Sequence, residues 1–214
     1  MRLDHLLVTR KLFATRQKAK EGIKRGYVLV DGEVITKPAM EVDPSVEVKL
    51  TEPERPKGYW KLQAIDSQWN LIKEGDVVLD LGSSSGGFVR YASQKAARVY
   101  GIEFSKNFEG ELTELEEQLD NVRIFMGDAF TFDLTPLEPV DLILCDLTLE
   151  GGSALKAVEH FLPLLKPEGK VLFVLKTGMN KHYKLPDFER AGMKIADKME
   201  SQEKKETYYL LSRA

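Results

Sequence analysis

From residue 77 onward the chain alternates between uninterrupted apolar runs and amphipathic stretches. VVLDL (77–81), ARVYGIE (97–103), VRIFM (122–126), VDLILCD (140–146) and KVLFVLK (170–176) are the apolar runs. Each is short enough for a strand, and each lacks the in–out alternation of a half-solvated sheet. Strands of this kind are buried on both faces, as in a parallel sheet covered by helices. Between them the spacing predicts helices from about 86 to 95, from 109 to 120 and from 153 to 165. ETYYLLSR (206–213) does alternate and reads as a closing antiparallel strand. The expected fold class is therefore α/β and Rossmann-like, with a mostly parallel sheet, helices on both faces and an antiparallel last strand.

The first fifty residues follow another rhythm. Leu3, Leu6 and Leu7 have helical spacing. Thr15 is placed to cap a second helix that buries Ala19 and Ile23 and stops at Gly26. YVLV and EVI flank Asp31-Gly32, a pair suited to the positive φ angles of a tight hairpin, and VEVKL (46–50) supplies a further strand. This is a small α+β domain over 1–50. The polar, proline-bearing TEPERPKG (51–58) reads as a linker to a second domain over 59–214.

Charge separates the two parts further. Residues 1–30 hold eight bases against two acids, and residues 1–61 carry +4, so the remainder carries −7 of the net −3. A basic front on an acidic body fits a polyanion-binding module joined to a part with another task. Arg16, Lys20 and Lys24 are four apart and form a basic ridge along the second predicted helix. A single cysteine, Cys145, excludes a disulfide framework and a cysteine-rich zinc site, and suits a reducing cytoplasm. His5, His160 and His182 lack metal-ligand spacing, so no metal site is expected. MRLDHLL has no signal-peptide core, and no apolar run reaches the roughly 18 residues of a membrane span. The expectation is a soluble cytoplasmic protein with no membrane partner.

Candidate chemistry gathers at the strand ends. VVLDLGSSSGGF runs from a strand into a glycine-rich turn at a helix start, where open α/β sheets bind ligands. Its Gly-x-x-x-Gly-Gly pattern departs from the Gly-x-Gly-x-x-Gly of dinucleotide folds. Glu103 ends the second strand and could chelate ribose hydroxyls, while Asp128 follows the third and could accept from an adenine amino group. Together they point to a nucleoside cofactor. Lys61, Asp146, Lys176 and Glu206 form a second group, three of them at strand ends; a structural salt bridge is the plain alternative for any one pair. MNKHYK (179–184) could grip phosphates with Lys181 and Lys184, or be a solvated loop.

Two resemblances sharpen these expectations. RLDxLL followed by TRxxAKxxIxxGxVxVDGxxxxKP resembles the S-four-type RNA-binding domain. That implies RNA phosphate contacts from Arg2, Arg16, Lys18, Lys20, Lys24 and Arg25. Over residues 58–213, WKLQ, DLGSSSGG, CDLT, VLKT and KKETYYL fall in the order of the FtsJ-like RNA ribose 2′-O-methyltransferases, and with the N-terminal module the chain resembles their TlyA-like (hemolysin A) branch. Ser85 stands where the FtsJ motif usually has proline, and Leu-Thr-Leu follows Asp146. The resemblance implies a fold that binds S-adenosyl-L-methionine, with cofactor contacts from Asp80, Gly82, Ser83, Gly86, Gly87, Phe88, Glu103, Asp128, Ala129 and Asp146. It also implies a catalytic tetrad of Lys61, Asp146, Lys176 and Glu206, with Glu203 as the alternative for the last position. Ribosomal RNA is the implied substrate. In this reading a neutral Lys176, its pKa lowered by burial beside Lys61, removes the 2′-hydroxyl proton. A non-catalytic RNA-binding protein that keeps the fold, or a hemolysin-type protein, stays open at this point.

Overall fold

The computed structural model describes residues 1–51, 55–178, 184–201 and 205–214. The chain divides into two compact units, Met1–Arg55 and Pro56–Ala214.

In the first unit, α1 (Leu3–Thr9) and α2 (Arg16–Lys24) precede three short strands, β1 (Val28–Val30), β2 (Glu33–Val34) and β3 (Val48–Leu50). The strands pair antiparallel in the order β2-β1-β3. Thr15 accepts from the Lys18 amide at 3.2 Å and caps α2. Asp31 and Gly32 both take positive φ, 50° and 85°, as the hairpin requires. Leu3, Leu7, Phe13, Ala19, Ile23 and Val28 form the core. β3 is shorter than VEVKL suggested: the Val46 amide bonds back to Asp43, and the Glu47 amide bonds to the Asp31 carboxylate, so the ladder starts at Val48.

The second unit opens with α3 (Lys57–Trp69), a helix the sequence pattern did not announce. Lys57 and Gly58, expected in a connecting segment, are its first two residues. Pro56 sets the N-cap, Tyr59, Leu62, Ile65 and Asp66 face inward, and Asn70 ends the helix in the left-handed region at φ 45°. Next come β4 (Val77–Leu81), α4 (Gly87–Ala92), β5 (Arg98–Glu103), α5 (Glu109–Gln118), β6 (Val122–Met126), β7 (Val140–Cys145), α6 (Gly151–Phe161), β8 (Leu165–Lys176), β9 (Met193–Glu200) and β10 (Glu206–Arg213). The sheet order is β6-β5-β4-β7-β8-β10-β9. The five strands from β6 to β8 are parallel, and β10 runs antiparallel between β8 and β9.

Both faces of the sheet are covered. Leu79, Leu81, Ile143 and Phe173 pack toward α6, whereas Val78, Leu142, Leu144 and Leu172 pack toward α3, α4 and α5. That two-sided burial explains the uninterrupted apolar runs. β9 is different. It is an edge strand with a mostly exposed, charged surface, and its lysines and acids discourage pairing with another chain. The chain builds outward from β4 through β5 to β6, then returns to place β7 on the other side of β4. This reversal opens a crevice at the carboxyl ends of β4 and β7. Among the described residues, no helix is long and apolar enough to cross a membrane.

Candidate active site

The crevice is a cleft of about 720 Å³. Its floor comes from the turn after β4. Gly82 holds φ +80°, and a Cβ there would lie 2.6 Å from a Leu147 methyl, so only glycine fits. Gly82 and Ser83 donate backbone amides to the Ile102 carbonyl, at 2.9 and 3.2 Å, and this ties the turn to β5. Gly82, Ser83, Gly87 and Phe88 all line the cleft. Gly86 sits between two lining residues, Ser85 and Gly87, and shapes the turn that carries them. Its φ of +72° makes the turn into α4, and a Cβ there would lie 2.4 Å from Leu115 on the side of α5.

Of the five acids that line this cleft, three make no ion pair with Lys61 or Lys176. Asp80 is 1% exposed, and its Oδ2 has no hydrogen-bond partner among the described residues. Burial, with Asp146 and Glu103 adding to it and Ser83 opposing, pushes its pKa up to about 8. Glu103, at the end of β5, accepts the Ser84 amide at 2.8 Å and the Ser105 amide at 2.7 Å, so its carboxylate is held fixed at the cleft wall. Asp128 follows β6, accepts the Phe130 amide at 2.9 Å and lines the opposite wall with Ala129. Phe104 and Phe130, each just beyond one of these wall acids, are 75% and 41% exposed and also line the cleft. Sequence reading passed over both. The available signal was an apolar residue placed after a strand had already ended.

At one end of the cleft four charges close into a ring. Lys61 Nζ lies 2.7 Å from Asp146 Oδ2 and 2.9 Å from Glu206 Oε2. Lys176 Nζ contacts Asp146 Oδ1 and lies 2.9 Å from Glu206 Oε1. Each carboxylate thus bridges both amines, and each amine bridges both carboxylates. All four side chains are less than a fifth exposed. The ring is assembled from four elements. Asp146 follows β7, Lys176 ends β8 and Glu206 starts β10 directly across from it in the antiparallel register. Lys61 comes from the second turn of α3. That helix can reach the site because Gly87 lets α3 and α4 touch: a Cβ there would lie 2.7 Å from the Tyr59 amide nitrogen and 2.8 Å from Gly58 Cα.

The two lysines do not titrate alike, and their order reverses the expectation. Burial lowers the pKa of Lys61, Lys176 adds to the effect, and the contacts with Asp146 and Glu206 do not fully offset it. Lys176 is buried too, but its contacts with the same two carboxylates outweigh that burial and raise its pKa. A lowered pKa for Lys176 is therefore corrected: the pair of bridging carboxylates keeps it charged. Glu206 is lowered, since hydrogen bonds from Lys61 and Lys176 overcome its burial. Glu203 and residues 179–183 lie outside the described residues, and Lys184 is exposed.

In the first unit the expected RNA contacts divide. Arg2 and Arg16 both pair with Asp4. Lys18, Lys24 and Arg25 are exposed along or just beyond α2, and Lys20 is half-buried. Among the described residues no group of three His, Cys, Asp or Glu side chains could hold a metal ion.

A cleft lined by acids at the switch point of a doubly wound sheet, with no cradle of bases for a pyrophosphate among the described residues, defines a class of nucleoside-binding α/β proteins. The chain belongs to the FtsJ-like methyltransferase family, whose model matches residues 55–208, and residues 1–48 match the S4 domain. The ribosomal RNA large subunit methyltransferase E of Paraburkholderia xenovorans is 30% identical over 155 residues, covering 61% of this chain and 70% of that protein. A Streptococcus thermophilus structure with a provisional hemolysin label shares the fold at TM-score 0.61 and 22% identity, covering 100% of this chain and 88% of its own. Aeropyrum pernix fibrillarin, solved with natively bound S-adenosyl-L-methionine, does so at TM-score 0.54 and 21% identity, covering 66% of this chain and 68% of its own.

Proposed function

We propose that this protein transfers the methyl group of S-adenosyl-L-methionine to a ribose 2′-hydroxyl of ribosomal RNA, which its N-terminal unit helps to hold. The observation that carries the reading is the four-charge ring of Lys61, Asp146, Lys176 and Glu206 at the end of a cleft that also contains a buried carboxylate with one oxygen unpartnered among the described residues. An isolated structural salt bridge needs neither the second pair nor the cleft.

The residues present fit the cofactor. The orphaned Oδ2 of Asp80 calls for a cationic or hydrogen-bond-donating ligand group, such as an ammonium. Glu103, fixed by two backbone amides, retains acceptor capacity for a pair of hydroxyls. Asp128 and Ala129 flank the place for a base. When bound, the cofactor supplies an electrophilic methyl group on a sulfonium.

The chain's own residues do the rest. The ring presents amines and carboxylates at fixed positions, so a hydroxyl entering beside it meets a donor and an acceptor already oriented. The proton leaving the 2′-oxygen passes to the Lys61–Lys176 pair. Four groups in mutual contact titrate as a cluster, so the capacity to accept that proton belongs to the pair. Positive charge bound in the cleft favours loss of one proton from the pair beforehand. Asp146 and Glu206 keep the remaining ammonium in place.

The test is incubation of the full chain with labelled S-adenosyl-L-methionine and ribosomal RNA that lacks the modification, followed by mapping of the labelled nucleotide. Label on a ribose oxygen of ribosomal RNA is the expected result. Label on a base, on protein or only on small molecules overturns the reading.

A further inference from the structure

In the first unit, Asp4 is 0% exposed, although its position in α1 lies beside the core residues Leu3 and Leu7. An apolar side chain there would cost nothing in desolvation. Arg2 reaches the carboxylate side-on, Nε to Oδ1 at 3.1 Å and Nη2 to Oδ2 at 3.0 Å. Arg16, the first residue of α2, places Nη2 3.3 and 3.1 Å from the same two oxygens. The two guanidinium groups carry like charge and would separate without the shared acceptor. Held by it, their side chains remain 42% and 51% exposed. Among the described residues, Nη1 of Arg2 and both Nε and Nη1 of Arg16 have no protein acceptor.

We infer that Asp4 is a positioning residue that locks Arg2 and Arg16 into one two-pronged receptor for an RNA phosphate. The inference rests on the RNA-binding reading of this unit. Its chemistry is that of arginine pairs elsewhere: a planar fork offers parallel N–H donors that match two phosphate oxygens. Fixing the forks beforehand removes the entropy of ordering two long side chains when RNA arrives. The unit keeps one net positive charge at the receptor, and Lys20 and Lys24 continue the basic line one and two turns further along α2. A simple latch between α1 and α2 explains less, because one arginine would serve and a buried ion pair is poor evidence of stabilisation.

The experiment measures binding of the full chain to a short fluorescent RNA stem–loop across a range of salt, with thermal melting alongside. Asp4→Asn discriminates by sign. It removes a negative charge, so charge alone predicts tighter binding, whereas the receptor predicts binding weaker by about tenfold, since both forks lose their anchor. The double variant Arg2→Lys, Arg16→Lys keeps every charge and lacks only the forks, and it too is expected to bind about tenfold more weakly. It also decides the matter if the Asp4 variant melts early. Asp4→Asn binding as tightly as the unaltered chain or tighter, or the double lysine variant matching it, overturns the inference while RNA binding stands. If the unaltered chain fails to bind the stem–loop at low salt, the RNA reading falls and the inference with it.

Discussion

Lys61 and Asp146 are 85 residues apart in the chain, yet Nζ and Oδ2 meet at 2.7 Å. The contact joins a helix on one face of the sheet to the end of β7, and Asp146 extends it to Lys176. Asp146→Ala therefore leaves two inward-facing ammonium groups to share Glu206 alone. We expect methyl transfer to fall by about 10²- to 10⁴-fold, with a loss of roughly 1–3 kcal/mol in stability for the unmatched charges. Single-turnover kinetics and thermal melting on the same preparation separate the two effects. Activity within a factor of a few of the unaltered protein would sink the proposed chemistry.

If Asp80 meets the cofactor as proposed, it couples cofactor binding to stability. Its folded pKa of about 8 lies above the ordinary carboxylate value. Between the two values the unfolded chain has released this proton and the folded chain has not, so stability falls as pH rises through that window, down to a floor above pH 8. Asp80→Asn removes this slope. The ligand-free variant is expected to be more stable at pH 7–8 by about 1–3 kcal/mol, and to bind S-adenosyl-L-methionine about tenfold more weakly. Melting curves from pH 5 to 8 and calorimetric titration with the cofactor check both halves. Equal destabilisation at every pH would show that the carboxylate is structural.

The parallel strands were legible because burial on both faces writes a continuous apolar run, which β4, β5, β7 and β8 all carry. The Thr15 cap and the Asp31-Gly32 turn were legible because their backbone geometry admits few residues. α3 was not, since Tyr59, Leu62 and Ile65 follow closely on a proline-bearing connecting segment and give too short an apolar stripe to stand out ahead of the first strand. β9 was hidden by its edge position, where exposed lysines and acids replace the apolar signal. At the site, residue types at strand ends could be read, but the unequal ionisation of Lys61 and Lys176 could not. It depends on how burial balances against the same two carboxylates at each amine, and only the folded chain sets that balance.

Gly87 tests whether helix contact places Lys61. A Cβ at this position meets backbone atoms of Tyr59 and Gly58, and neither can rotate away. Gly87→Ala therefore pushes α3 off α4, at a cost of about 1–3 kcal/mol. The same shift carries Lys61 out of the ring. Activity is expected to drop by about 10²-fold at temperatures where the variant remains fully folded. If folded Gly87→Ala turns over normally, α3 has freedom that the close contact denies.

The pH profile distinguishes a fixed charge from a proton acceptor at Lys61. Burial lowers its pKa, so raising the pH removes its proton more readily than from an ordinary lysine. If the Lys61–Lys176 pair accepts the 2′-hydroxyl proton, single-turnover rates rise with pH through one deprotonation and then level. Lys61→Arg keeps a cation of similar reach beside Asp146 and Glu206 but cannot lose its proton in this range. We expect this variant to bind cofactor normally and to transfer methyl about 10²-fold more slowly, with the alkaline rise displaced to higher pH because Lys176 alone must then release a proton while both carboxylates hold it. A variant with an unchanged rate and an unchanged profile would restrict Lys61 to holding the carboxylates, and proton acceptance would rest with Lys176.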